Sequence, residues 1–151
     1  MRTVYRVLAY LIALEVMIQA AAVAYGVFGI TKWVGDGAVL DKAAMEDEST
    51  SFTGLGGLIL HGMNGMYLIP LLALLLLIAA CFARVPGGVR WAGLLFLAVL
   101  AQVLLGLFAH GLPALGILHG LNALVIFGLA VMAGIRAGDG TAKRSREREL
   151  V

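Results

Sequence analysis

The sequence predicts an all-α integral membrane protein, a bundle of four transmembrane helices made of two parallel two-helix repeats. Of its 151 residues, 62% are hydrophobic and 13% are charged, which is typical of membrane proteins. Four apolar stretches, each near the roughly 20 residues that a bilayer requires, alternate with short polar breaks. The motif Leu-His-Gly-x-Asn occurs at 60–64 and again at 118–122, each time at the start of an apolar stretch. This recurrence indicates that the second pair of helices repeats the first.

The first predicted span covers about residues 7–30 and follows a basic N-terminus. A secretory signal peptide also begins with basic residues and is the alternative for this segment. The length of the stretch and the polar side chains of Glu15 and Gln19 within it favour a membrane span. The hexapeptide at 14–19 also aligns with the hexapeptide at 97–102, which places a glutamine at the same depth in the first and third spans.

The other three spans follow from the same apolar patterning and from the residues that interrupt it. Pro70 predicts a kink within the second span, and Pro113 marks the break between the third and the fourth. These spans cover about residues 55–82, 91–110 and 114–135. The predicted transmembrane domain is 1–137, with repeat 1 at 1–85 and repeat 2 at 88–137, followed by a charged cytoplasmic tail at 138–151.

Charge is distributed unevenly along the chain. Basic residues gather at the N-terminus, in the turn at 84–90 and in the tail, whereas the loop at 31–53 is acidic. Because basic segments stay in the cytoplasm, we expect a multi-pass protein in the lipid bilayer of the cell membrane, with both termini cytoplasmic and this loop outside. No nucleic-acid partner is expected. The single cysteine, Cys81, excludes an internal disulfide and a thiolate iron–sulfur site.

His61 and His119 are the candidate metal ligands. Residues three and four positions apart share a helix face, so each histidine lies on a stripe with an asparagine, Asn64 or Asn122. Polar groups inside a bilayer commonly mark function. Two imidazoles at equal depth could supply both axial nitrogens of one heme b, with iron as the metal. We therefore expect a b-type cytochrome that transfers single electrons.

Small residues and a third histidine complete the candidate site. Glycines beside the ligands leave the space that a flat macrocycle needs. His110, at the end of the third span, could pair with a heme propionate, bind a separate metal or occupy the membrane interface as an amphipathic residue, and the last is favoured. No catalytic residue is expected. The expected cofactor-binding set is His61, His119, Asn64, Asn122, Gly65, Gly62, Gly120 and His110.

Three other interpretations remain open. Histidine and asparagine also form hydrogen bonds between membrane helices without a cofactor, as they would in a non-enzymatic accessory subunit or a bundle that binds a small molecule. Met63 and Met66 beside His61 allow a Cu(I) site, although the second copy has leucines there. An enzyme acting on quinone or heme, with Glu15 or His110 as a proton carrier, is the third.

The four-span region, roughly residues 4–137, resembles one half of heme A synthase. The similar pattern consists of Gln102, Gly106, Pro113, His119 and Ala123. That family is built from two four-helix units, in which a histidine of the second helix and one of the fourth ligate heme. The resemblance therefore implies that His61 and His119 are the two ligands.

Two departures from the family limit what the resemblance implies. The family's catalytic units carry a glutamate one turn before the first ligand histidine, where this chain has Gly57, and the outer-loop cysteine pair of many bacterial members is absent. The chain also has the length of one unit rather than two. The resemblance thus implies a heme-carrying homo-oligomer rather than a complete heme A synthase. A membrane quinone or a redox partner protein is expected as its electron donor or acceptor.

Overall fold

The computed structural model describes the backbone of residues 1–149 and the side chains of residues 1–138, and this part of the chain is helical without strands. The predicted tail at 138–151 therefore has nearly all of its side chains outside the described residues. The helices are α1 (Arg2–Gly35), α2 (Lys42–Glu46), α3 (Leu55–Met63), α4 (Ile69–Ala83), α5 (Gly88–Ala109) and α6 (Leu115–Glu149), with a π-helical turn at Asn64–Leu68 between α3 and α4.

Among the described residues, four helical segments are long and apolar enough to cross a membrane, as the sequence predicts. They are Arg2–Gly35, Leu55–Ala83, Gly88–Ala109 and Leu115–Gly138. Many of their large apolar side chains are exposed, including Phe28 at 76%, Ile117 at 68% and Leu124 at 69%. Apolar surface of this extent is unfavourable in water and suits contact with lipid. The arrangement as a twofold repeat and the insertion into a membrane stay predictions.

One compact unit combines residues 1–16 with the chain from residue 66 onward. Its core takes side chains from four helical segments, including the fully buried Ile12, Leu76, Leu95 and Ile126. Much of the rest of this core is alanine, whose small side chain lets helices approach closely. The buried Tyr5 hydroxyl donates to the carbonyl oxygen of Gly88 at 3.2 Å, which ties α1 to the start of α5.

The second compact unit, residues 17–65, contains the rest of α1, the acidic loop and α3. In this unit, glycines let the backbone of α1 approach the backbone of the chain around the start of α3. A Cβ atom added to Gly29 would lie 1.8 Å from the carbonyl oxygen of Thr53, and one added to Gly57 would lie 2.4 Å from that of Ala22. Only residues without a side chain permit this approach. The rings of Trp33 and Phe52, near the two ends of the acidic loop, stack with their centroids 5.7 Å apart.

Two carboxylates organise the acidic loop locally. Asp41 caps α2, accepting a hydrogen bond from the Ala44 amide at 2.8 Å. Asp47 accepts bonds from the hydroxyl and the amide of Ser49, at 2.7 and 2.8 Å. These bonds stabilise the charged form and lower the pKa of the Asp47 carboxyl. The Asp47 carboxylate therefore keeps its charge to a lower pH than an ordinary aspartate.

The second apolar span is interrupted just before the proline that predicts a kink there. Pro70 lies in the first turn of α4, directly after the π turn Asn64–Leu68. Proline lacks the N–H that would continue the backbone hydrogen bonds of the helix. In addition, π turns are frequent where helices change direction. In contrast, α6 continues without interruption after His119. The irregularity thus belongs to the first histidine motif alone.

Candidate functional site

His119 is half-buried on α6 and contacts the backbone of α5. Its ring nitrogen Nδ1 donates to the main-chain oxygen of Gln102 at 3.1 Å. A carbonyl oxygen can only accept, so this bond places the ring proton of the neutral imidazole on Nδ1 and the lone pair on Nε2. Ligand histidines in metalloproteins are commonly held in this way, because the bond fixes both the ring orientation and the tautomer.

Asn122, one turn after His119, reinforces the same helix pair. Its amide nitrogen donates to the main-chain oxygen of Ala98 and to the side-chain oxygen of Gln102, each at 2.8 Å. Gln102 therefore accepts one bond from each polar residue of the second motif. The expected placement of His119 and Asn122 on one face of α6 is confirmed by these shared contacts.

Gly106 provides the surface of α5 on which the His119 ring lies. A Cβ atom at this position would be 3.0 Å from Cε1 and 3.2 Å from Nδ1 of the imidazole. Any side chain here would push the ring away from the carbonyl oxygen of Gln102. The glycine of the Gln-x-x-x-Gly pattern thus has a steric role beside the histidine.

His61 has a similar relation to α1. Its Nδ1 lies 3.3 Å from the main-chain oxygen of Gln19, the residue that aligns with Gln102. Each histidine therefore contacts the main-chain oxygen of the glutamine expected at the same depth in the preceding span. His61 belongs to the unit of residues 17–65, and His119 belongs to the other unit.

The Gln19 side chain makes further contacts with the first motif. Gln19 is buried, and its amide oxygen and nitrogen are assigned from their partners. The nitrogen donates to the carbonyl oxygen of His61 at 3.0 Å and to His61 Nδ1 at 2.7 Å, and the oxygen accepts from the Gly65 amide at 3.2 Å. This one side chain thus holds both the ring and the backbone of the first motif.

The glycines of the two motifs are in different surroundings. A Cβ atom at Gly62 or Gly120 would meet nothing within 4 Å, so both positions border open space. A Cβ atom at Gly65 would lie 3.8 Å from the Gln19 side chain. Asn64 is half-buried at the start of the π turn. Gly57 packs against α1, and the catalytic glutamate of heme A synthases would not fit in this position.

His110 is exposed at the end of α5, and its contacts are with its own helix. Its Nδ1 lies 3.1 Å from the carbonyl oxygen of Gly106 and 3.3 Å from that of Leu107. A histidine that bonds the last carbonyl groups of a helix stabilises that end. This arrangement agrees with the interfacial position favoured from the sequence, while a contact with a cofactor stays a prediction.

Of the two candidate ligands, His119 is the better prepared to bind a heme iron. Within the described residues, no three side chains of histidine, cysteine, aspartate or glutamate form a group that could hold a metal ion. A bis-histidine heme needs only two such donors. At His119 the proton on Nδ1 leaves Nε2 in the form that binds iron. At His61, ligation through Nε2 likewise requires the ring proton to be on Nδ1.

Asn122→Asp should destabilise the protein more than Asn122→Ala. Alanine removes two interhelical hydrogen bonds, each worth about 0.6 kcal/mol in membrane proteins, for a loss of roughly 1 kcal/mol. An ionised aspartate removes the same bonds and also sets its oxygens against the carbonyl of Ala98 and the side-chain oxygen of Gln102. Unfolding in mixed micelles of increasing denaturing detergent measures the order. Equal stability of the two variants would show that the amide donates no bond here.

The sequence predicts both histidine motifs, but Gln19, Gln102 and Gly106 are not among the cofactor-binding residues that it predicts. The signal for the glutamines was present, since their hexapeptides align and both precede a histidine motif. What the sequence lacked was the information that their main-chain oxygens, rather than their side chains, meet the two imidazoles.

In comparisons with known proteins, no family model, no curated protein and no solved structure matches this chain. The resemblance to heme A synthase therefore rests on the short motifs alone.

Proposed function

We propose that this chain is a membrane-embedded b-type cytochrome in which His61 and His119 ligate one heme b. The observation that carries the proposal is that each imidazole contacts the main-chain oxygen of the aligned glutamine, at 3.3 and 3.1 Å. A carbonyl partner on Nδ1 is the usual support of a histidine that ligates through Nε2. His119 makes this bond, and at His61 the corresponding main-chain oxygen lies within reach of Nδ1 when the ring proton is there, which supports a shared function for the pair.

The bound heme supplies one-electron exchange at its iron, and the protein residues bind and orient it. Gln102 holds the His119 ring, Asn122 braces α6 against α5, and Gly106 keeps the ring close to α5. Gly62 and Gly120 each border open space, which leaves room beside each histidine for part of a flat ring. With His61 and His119 as its two ligands, a bound heme would exchange single electrons and would have no open position for oxygen.

The charge pattern supports the orientation of this cytochrome. Both termini and the basic turn at 84–90 lie in the cytoplasm by the positive-inside rule, and the 31–53 loop lies outside. The histidine motifs then sit in the outer half of the membrane. A membrane quinone or a redox partner protein exchanges electrons with the heme, and the chain forms a homo-oligomer that provides the second four-helix unit of the heme A synthase arrangement.

A pyridine hemochrome assay on the purified protein, produced with an adequate heme supply, tests this function. We expect one heme b per chain and a low-spin absorption spectrum that changes on reduction. A colourless protein, or heme present at a small fraction of the chain concentration, would overturn the proposal. A ratio of one heme per two chains would indicate that the ligands come from different copies.

An accessory or small-molecule-binding bundle without heme is the second candidate. It is favoured by the Asn122 bonds to α5, which stabilise a helix pair whether or not a cofactor is present. In that case the protein is colourless, and exchanging either histidine for alanine causes no more than a modest loss of stability. The hemochrome assay therefore separates the two functions.

A further inference from the structure

The Gln19 side chain bridges two backbone groups of the first histidine motif, one in α3 and one in the π turn that follows it. Its amide nitrogen donates to the carbonyl oxygen of His61 at 3.0 Å, and its amide oxygen accepts from the Gly65 N–H at 3.2 Å. These groups are four residues apart, the pair that an α-helix bonds directly. Insertion of a side chain at such a pair is a known cause of helix irregularity, and the π turn Asn64–Leu68 begins beside it.

The same amide nitrogen determines the protonation of the His61 ring. It lies 2.7 Å from Nδ1, closer than the main-chain oxygen of Gln19 at 3.3 Å. An amide nitrogen can only donate, so Nδ1 accepts and the ring proton of the neutral imidazole is on Nε2. At His119 the partner of Nδ1 is a carbonyl oxygen, so the proton is on Nδ1. The two histidines therefore hold opposite tautomers.

We propose that Gln19 is a positioning residue that sets the tautomer of His61, keeping the ring proton on Nε2 while its carboxamide bridges His61 and Gly65. The inference concerns the heme-free protein and bears on ligation through the function proposed above. Ligation of iron through Nε2 requires the proton to move to Nδ1. The main-chain oxygen of Gln19, 3.3 Å away, can then accept it, and the amide nitrogen must turn away. His119 needs no such change.

Nitrogen-15 NMR of the heme-free full-length protein in lipid, with labelled histidine, tests this directly. The chemical shifts of the two ring nitrogens distinguish a protonated nitrogen from an unprotonated one. Single substitutions of the three histidines assign the signals. We expect His61 with its proton on Nε2 and His119 with its proton on Nδ1. Observation of His61 with its proton on Nδ1 in the unsubstituted protein would overturn the proposal without any further variant.

Gln19→Met and Gln102→Met form a matched pair of variants. Methionine keeps the length of the side chain and removes the amide. Gln19→Met removes the amide donor and keeps the main-chain oxygen 3.3 Å from Nδ1, so His61 should change from the Nε2–H to the Nδ1–H form. In Gln102→Met neither histidine should change, because His119 bonds the main chain. An unchanged His61 signal in folded Gln19→Met would exclude control by the carboxamide.

These measurements are independent of heme. A protein that binds no heme but shows the expected tautomers would overturn the proposed function and leave the role of Gln19 intact. A heme-binding protein with His61 already in the Nδ1–H form would do the reverse.

Discussion

Replacing His61 or His119 by alanine is expected to abolish the low-spin, six-coordinate heme spectrum. In the proposed site each substitution would remove one of the two ligand nitrogens, so a single variant would retain at most a five-coordinate heme. The double variant would retain no histidine ligand from the two motifs. Loss of a group that only supports a ligand costs roughly 10-fold to 100-fold in metal affinity, and loss of the ligand itself should cost more. Absorption spectra and heme content of the purified variants measure the effect.

Two exposed residues near the ligands provide matched controls. Ile59 and Ile117 each precede a histidine by two positions, and their side chains are 53% and 68% exposed. Ile59→Ala and Ile117→Ala should keep the wild-type spectrum and heme content. If the histidine variants also keep a six-coordinate heme, the assignment of the axial ligands is wrong.

Gly29→Ala should destabilise the unit formed by residues 17–65 by about 1–3 kcal/mol, the usual cost of overpacking. The added Cβ would lie 1.8 Å from the carbonyl oxygen of Thr53, which is backbone and cannot rotate away. Helix α1 and the chain before α3 must therefore separate. Thermal unfolding in detergent micelles, followed by circular dichroism, should show a lower Tm.

Gly35→Ala is the control for this prediction. Gly35 is on the same helix, and a Cβ atom there would meet nothing within 4 Å. Alanine is a better helix former than glycine, so this variant should be as stable as the unsubstituted protein or slightly more stable. A Gly29→Ala protein with an unchanged Tm would mean that the two segments do not approach as closely as described.

The helices were largely predictable because apolar length is a strong signal. The second span, expected at about 55–82, agrees with the helical segment Leu55–Ala83. The first helix extends further than its expected bounds of 7–30, because charged residues such as Arg6 and Lys32 are tolerated at the ends of a long helix. The π turn was not predictable, since it accompanies a glutamine side chain that is 45 residues away from Asn64 in the sequence.

The candidate site was only partly predictable. Spacing alone placed His119 and Asn122 on one face of α6, and the α5 contacts of both residues agree. The difference between Gln19 and Gln102 could not be read from the aligned hexapeptides. It depends on where each carboxamide points, which is decided by the packing of neighbouring helices.

The length of α1 has a geometric consequence if this helix crosses a bilayer as the sequence predicts. At about 1.5 Å per residue, its 34 residues extend over roughly 51 Å. The hydrocarbon core is only about 30 Å thick, so an upright α1 would overshoot it by some 20 Å. Either the rod leans steeply, or its final turns stand among the lipid headgroups and lift the anionic segment that follows Gly35 into the surrounding solution. In the second case, and if the proposed function holds, a positively charged redox partner would meet that raised segment before it touched the bilayer.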